Sequence, residues 1–439
     1  MSKKLIPCLL YIGLILTPIF GFQEFLKVCN VFSGLVNSEV EIIIKSIKDF
    51  LLVIIFLLFL KDVLSGYKLV NNLLVWLMIA IIFVSFFITS LDGKPFLAII
   101  GLRSFSPFLM IFIAYNYLDM DMIGKIVKIL SFVLVLGFCA AFAHAFLGYP
   151  IEGTTYFGLA ARPFGIFFHP WSFATFICFV LCFRVGFDIS LYKRATKGSL
   201  ILIVLSTLFI FLAGSGTGLL TLSVFFISYF FFFCRLRPYI KAVVMPILLL
   251  IPLFAFANLQ LLTGRSNIYI SVKTRIDILV DFINSAGIKE IAIGKGLGIG
   301  SNAAVTFLRL NPVGLKGANM LFTSDSLYTS LIAQVGIFFV IIFILFNVFL
   351  FITAAQSKYQ GANAIALFVI PVAMVASLGN SLIEFFPVNW LLFIVYGLVL
   401  RKQPGLLTRQ GVVSESQDSS VTGYRKRTYE HSFCIAILG

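Results

Sequence analysis

Ile332-Ala-Gln-Val-Gly-Ile-Phe-Phe-Val-Ile-Ile-Phe-Ile-Leu-Phe-Asn-Val-Phe-Leu-Phe351 is apolar almost throughout. A helix needs about 20 such residues to cross a hydrocarbon layer ~30 Å thick. About twelve comparable runs can be traced at that length scale. They centre near Leu14, Phe56, Ile81, Met110, Val135, Phe176, Leu205, Phe225, Leu250, Ile341, Ala373 and Phe393. The period-two alternation of a lipid-facing strand is missing, so the reading is an all-α, polytopic transmembrane helical bundle rather than a barrel. With 60% hydrophobic residues, 12% charged residues and a mean hydropathy of +1.07, the chain lies far outside soluble globular composition.

The net charge of +15 could indicate a nucleic-acid partner, but its placement argues against one. With the N-terminus in the cytoplasm, Lys3, Lys4, Lys61, Lys68, Lys125, Lys128, Arg184, Lys193, Arg194, Lys197, Arg235, Arg237, Lys241, Lys358 and the C-terminal tail all fall on the inner side. That is the positive-inside distribution, and it predicts cytoplasmic termini facing anionic membrane lipid. Cys8, Cys139, Cys178, Cys182 and Cys234 fall in or beside spans, and no exported pair is available for a disulfide. Cys178 and Cys182 read as packing residues. The first apolar run lacks a clear small-residue cleavage site, so it reads as a retained span.

The expected organisation is nine spans over 1–257, a large extracytoplasmic loop over 258–327, three spans over 328–400 and a cytoplasmic tail over 401–439. Within the loop, Ser266 can cap a surface helix running to about Ala286, and Gly287 stands where helices commonly end. Earlier, Glu39-Val-Glu-Ile-Ile-Ile-Lys-Ser-Ile-Lys48 reads as a short amphipathic helix on the membrane surface. Gly294-Lys-Gly-Leu-Gly-Ile-Gly300 lacks the spacing of a dinucleotide fingerprint. It reads as flexibility, or as room for close backbone approach.

The groups capable of chemistry gather at the outer face: Arg103, Arg162, His169, Arg265, Arg275, Asp325 and Glu384. Arg103 lies inside the fourth span, where it either snorkels to headgroups or joins an anion site. Arg265 flanks a helix N-terminus, where free N–H groups and the dipole favour an anion and a guanidinium adds a bidentate fork. Asp325 reads as helix cap, general base or both, and Glu384, near the outer end of the eleventh span, is a second candidate carboxylate. Asp119-Met-Asp121 matches a metal-holding D-x-D pattern, but its place at a span end fits a solvated helix terminus better. No His/Cys/carboxylate cluster has metal-ligand spacing, so neither a metal nor a cofactor is expected. Gly214-Ser-Gly-Thr-Gly218 lacks the P-loop lysine and reads as a tight turn.

An enzyme on the outer side has no ATP or nucleotide sugar, so its donor must arrive activated, and a lipid-linked diphosphate suits that need. Arginines would neutralise the leaving group and one carboxylate would free an acceptor hydroxyl. Arg162-Pro-Phe-Gly-Ile-Phe-Phe-His-Pro-Trp171, Thr263-Gly-Arg-Ser-Asn-Ile-Tyr269 followed by the glycine run, and Asp325-Ser-Leu-Tyr328 before an apolar span resemble the bacterial O-antigen polymerase and ligase superfamily. The resemblance covers roughly 101–351. It implies a metal-independent glycosyltransferase of the inner membrane that polymerises undecaprenyl-diphosphate-linked glycan. Arg162 and Arg265 would bind the diphosphate, and a chain-length regulator is a candidate partner. Two features depart from the pattern. The 214–218 turn has no basic residue, and Asp325 stands about where ligases of the family place a histidine. The alternatives are a ligase moving polymer onto a lipid core and, in another class, a flippase of the same lipid-linked glycan.

Overall fold

A computed structural model describes residues 2–18, 38–67, 69–147, 163–167, 169–234, 237, 239–241, 244, 246, 268–301 and 326–401. The side chains of 38–45, 144, 146, 147, 268–272, 274 and 275 are outside that description. Among the described residues every regular element is helical. In chain order these are α1 (Ser2–Ile15), α2 (Ser38–Leu64), α3 (Leu73–Leu91), α4 (Pro95–Phe105), a 3₁₀ turn (Ser106–Phe108), α5 (Leu109–Tyr117), α6 (Met120–Leu147) and α7 (Pro170–Tyr192). They continue with α8 (Lys197–Ala213), α9 (Gly216–Phe232), α10 (Ile268–Ser285), α11 (Ile288–Ile293), α12 (Leu327–Gln356), α13 (Asn363–Gly379) and α14 (Val388–Leu400).

Among the described residues, five stretches are long and apolar enough to cross a membrane: α3, Pro95–Tyr117, Met120–Ala143, α7 and α12. Four shorter apolar helices, α8, α9, α13 and α14, accompany them. The structure therefore carries the all-helical, apolar character expected from composition. The expected ninth span near Leu250 and most of the 258–327 loop lie outside the described residues, as does the tail beyond Arg401.

Helix α7 is the hub. The apolar window is 78% buried in α7 and only 28% buried in α3, which places α7 inside the bundle and α3 on its rim. A helix that is apolar all round belongs in such a core. Phe173, Phe176, Phe179 and Phe183 lie along about three turns of α7 without exposure. Lipid is as apolar as these rings, so helix association in a membrane depends on close fit rather than on escape from water. Small residues provide that fit: a side chain at Gly186 of α7 would meet the Ile365 backbone of α13 at 2.6 Å, and one at Gly397 of α14 would meet the Ile111 carbonyl at 2.2 Å. Cys178 and Cys182 are both fully buried, with the Cys178 Sγ 3.2 Å from Thr221 Oγ1 of α9, consistent with their reading as packing residues.

Two helices are interrupted at neighbouring points. Pro107 lies in the 3₁₀ turn that separates α4 from α5, because proline cannot donate the helical hydrogen bond. In α12, Gly336 adopts φ 84° and ψ 170°, a conformation essentially reserved for glycine. Phe105 and Phe108 beside the first break both pack on Phe339 just past the second, with ring centroids 5.9 and 6.4 Å apart.

Side-chain contacts fix which helix ends lie together. Asp62 near the end of α2 accepts from Ser2 Oγ of α1 at 2.9 Å and from Tyr117 Oη of α5 at 2.7 Å. Arg401 after α14 donates to the Leu118 carbonyl at 2.5 Å. Lys193 after α7 donates to the Tyr359 carbonyl and Lys358 to the Phe232 carbonyl, each at 2.8 Å. This end gathers Lys3, Lys4, Lys61, Lys125, Lys128, Arg184, Lys193, Arg194, Lys197, Lys358 and Arg401 against Asp62, Asp119, Asp121 and Asp188. It is the basic end of the bundle. Asp119 Oδ1 accepts from Met122 N at 2.8 Å, so the D-x-D pair is indeed a solvated helix start.

Two local expectations need correction, and a third holds. Residues 39–48 do not form a separate surface helix, because α2 runs unbroken from Ser38 through the apolar stretch to Leu64. The helix expected to run to about Ala286 is present as α10, which ends at Ser285; Gly287 stands just past that end with φ −71° and opens α11, where Glu290 accepts from its N–H at 3.1 Å. The glycine run 294–300 is not a flexible linker, as described next.

Candidate functional site

The glycine run is wedged into the bundle beside the break in α12. With Gly336 out of helical geometry, the Ala333 carbonyl instead accepts from Lys295 N at 2.8 Å. Leu297 N donates to Thr89 Oγ1 of α3 at 2.8 Å, and Gly298 N donates to Gln334 Oε1 of α12 at 3.0 Å. Gln334 Nε2 reaches Ser330 Oγ at 2.9 Å, and that hydroxyl donates to the Gly300 carbonyl at 3.2 Å. A side chain at Gly101 of α4 would strike Gly298 N at 2.3 Å, so the loop backbone lies directly on that helix. The glycines thus permit close backbone approach, but to the protein's own helices.

Beside this wedge a small open cleft is lined by Lys48 and Asp49 of α2, Arg103 and Ser104 of α4, Ser106 and Pro107 of the 3₁₀ turn, Asn389 and Trp390 of α14, and the 383–386 turn. Arg103 Nη2 pairs with Asp49 Oδ2 at 2.7 Å, with the two side chains 46% and 32% exposed. Arg103 thus faces a carboxylate across the cleft. Lys48 Nζ lies 5.7 Å from the centre of the Phe386 ring, and Trp390 meets the same ring edge-on at 5.0 Å.

Glu384 does not belong to a span, because α13 ends at Gly379 and α14 begins at Val388, with Glu384 in the intervening turn. Asn389 Nδ2 holds this turn by donating to the Ile383 carbonyl at 2.8 Å. A second, smaller recess is lined by Ser104, Ser330, Gln334, Ser381 and Glu384, so Glu384 stands where the two recesses meet.

His169 is exposed at the N-terminal boundary of α7 and stacks on Trp171 at 5.9 Å. Trp171 and Phe167 both meet Phe385 edge-on at 5.7 Å, which joins the histidine segment to the Glu384 turn. Of the residues singled out from sequence, Arg103 and Glu384 line one cleft and His169 lies at the same end of the bundle. Arg162, Arg265 and Asp325 fall outside the described residues, and Arg275 is described only as a backbone position in α10.

The sequence reading missed Lys48, Asp49, Ser104 and Asn389. Lys48-Asp49 does carry a signal, as a charged pair immediately before an apolar run. It was absorbed into the supposed surface helix. Chemically, the cleft offers two cations for an anionic group, two carboxylates for proton transfer or hydroxyl recognition, and neutral donors at its wall. No protein-family model matches the chain, and no curated protein matches it either.

Proposed function

We propose that the protein is a glycosyltransferase of the bacterial inner membrane that polymerises undecaprenyl-diphosphate-linked oligosaccharide repeat units at the outer face. The observation that carries this reading is the meeting of Arg103 and Glu384 in one cleft at the end opposite the basic end. Basic helix ends mark the cytoplasmic side, so the cleft faces outward. There the donor must carry its own activation. Breaking its bond to the anomeric carbon leaves a diphosphate, whose charge Arg103 and Lys48 would neutralise together with Arg162, Arg265 and Arg275. Glu384, with Asp325 and His169 as further candidates, would take the proton of the acceptor hydroxyl as its oxygen bonds to that carbon. These roles require no metal or other cofactor. Asp49 would act indirectly, by holding the Arg103 guanidinium in position.

The two broken helices favour a second reading, a flippase of the same lipid-linked glycan, since interrupted helices often frame transport sites. A ligase would share the polymerase cleft and differ in its acceptor. Deleting the gene distinguishes the three readings. For a polymerase, surface lipid keeps single repeat units and loses the long-chain ladder. Polymer stranded on the carrier would identify a ligase, and single units trapped inside the cell would identify a flippase.

A further inference from the structure

Helix α10 divides around its circumference into three strips. Phe282 is 3% exposed and packs inward beside partly buried Leu279 and Ala286. Lys273, Asp277, Asp281 and Asn284 form an exposed polar strip. Between these lies a third strip, Ile276, Val280 and Ile283, which is apolar yet 56%, 45% and 44% exposed. Ile288 at the start of α11 extends it and is 88% exposed. A helix covered only by water and its own bundle has no use for such a strip.

The surroundings indicate what covers it. A side chain at Gly336 would touch the Ala292 carbonyl at 2.1 Å, so α11 sits at the break in α12. Lys295, bonded through its N–H to Ala333 beside that break, holds its ammonium 5.0 Å from the Phe282 ring of α10. Gln356 lies 20 residues past Gly336 along α12, or ~30 Å of helix at 1.5 Å per residue, one hydrocarbon thickness. Gln356 lies next to Lys358 at the basic end. The break therefore marks the opposite edge of the hydrocarbon. Just beyond it, Phe338, Ile341, Leu345, Val348 and Ile352 form a continuous exposed apolar strip down α12. Helix α11, whose Ile288 continues the α10 strip, packs against α12 at the end where this surface begins.

We propose that α10 and α11 lie in the plane of the outer headgroup layer, with Ile276, Val280 and Ile283 set into the acyl chains and the Asp277–Asp281 strip in water. The occupant is phospholipid, held by apolar burial, because the polar strip carries charge of both signs and offers no strong basic face. This rests on the membrane reading proposed above. It deepens that reading by placing the backbone of Arg275 at the height of a lipid-linked diphosphate.

The test uses the full-length chain in phosphatidylcholine vesicles with and without brominated acyl chains. Tryptophan is introduced singly as Val280→Trp, Asp277→Trp and Val348→Trp, and each spectrum is read as a difference from the unsubstituted protein. The expected result is that bromine removes most of the added emission at 280 and 348 and little at 277. Quenching at 348 without quenching at 280 would overturn this inference alone and point to a protein partner or a second copy over the strip. Equal quenching at 277 and 280 would also overturn it. Absence of quenching at both 280 and 348 would remove the membrane reading and this inference with it.

Discussion

Arg103 and Asp49 form an ion pair that is partly open to solvent, and such pairs contribute only about 0–1 kcal/mol to stability. The pair is therefore better understood as orienting a guanidinium than as supporting the fold. Arg103→Ala should leave the amount of membrane protein unchanged while lowering transfer by ~10²–10³-fold, the scale of losing a preorganised charge stabiliser. Arg103→Lys should rescue little of it, because an ammonium cannot reproduce the planar fork. Comparing chain extension with immunoblotted protein level checks both outcomes; wild-type extension by Arg103→Ala would remove the residue from the site. The two residues singled out from sequence that line the cleft, Arg103 and Glu384, were legible as ionisable groups in apolar surroundings, where charge is costly enough to signal purpose. Lys48 and Asp49 were not, because a charged pair at the edge of an apolar run looks the same whether it faces headgroups or a cleft.

At the level of elements, the interruption of α12 is the feature on which the outer end is built. It opens a carbonyl for Lys295 N and makes room for α11, while Gln334 and Thr89 satisfy the N–H groups of the wedged loop. Gly336→Ala would be strained twice, by a backbone conformation costing about 1–3 kcal/mol outside glycine and by a 2.1 Å approach to the Ala292 carbonyl. We expect it to lower the thermal unfolding midpoint in detergent and to expose the 294–301 segment to protease; an unchanged midpoint would show that the break is dispensable. The sequence announced α12 plainly but not its break. A lone glycine in an apolar run is common in membrane helices, and only the partner segment some forty residues earlier reveals that its positive φ is used. Distance in sequence also hid the role of the glycine run, whose hydrogen-bond partners lie on α3 and α12.

For the whole molecule, the asymmetry of charge between the two ends ties the fold to the proposed direction of action. Lysines and arginines outnumber carboxylates at the end marked by Asp62 and Arg401. The cleft end holds Lys48 and Arg103 beside Asp49 and Glu384. Lys94→Cys should react with a membrane-impermeant maleimide on intact cells, and Lys193→Cys only after the membrane is opened; the reverse pattern would put the cleft in the cytoplasm and exclude a lipid-linked donor on the outer face. The charge asymmetry was readable from the loops because lysine and arginine placement is a simple sum along the chain. The site was less so, since it assembles from α2, α4 and the 380–387 turn with α14, three segments far apart in sequence.

The most direct measurement follows carrier-linked glycan made by the purified protein in vesicles supplied only with lipid-diphosphate-linked repeat units. The account predicts a ladder of lengthened chains from the unsubstituted protein and a loss of ~10²–10⁴-fold from Glu384→Gln, the range for removing a general base. A full ladder from Glu384→Gln, with Arg103→Ala equally active, would contradict it.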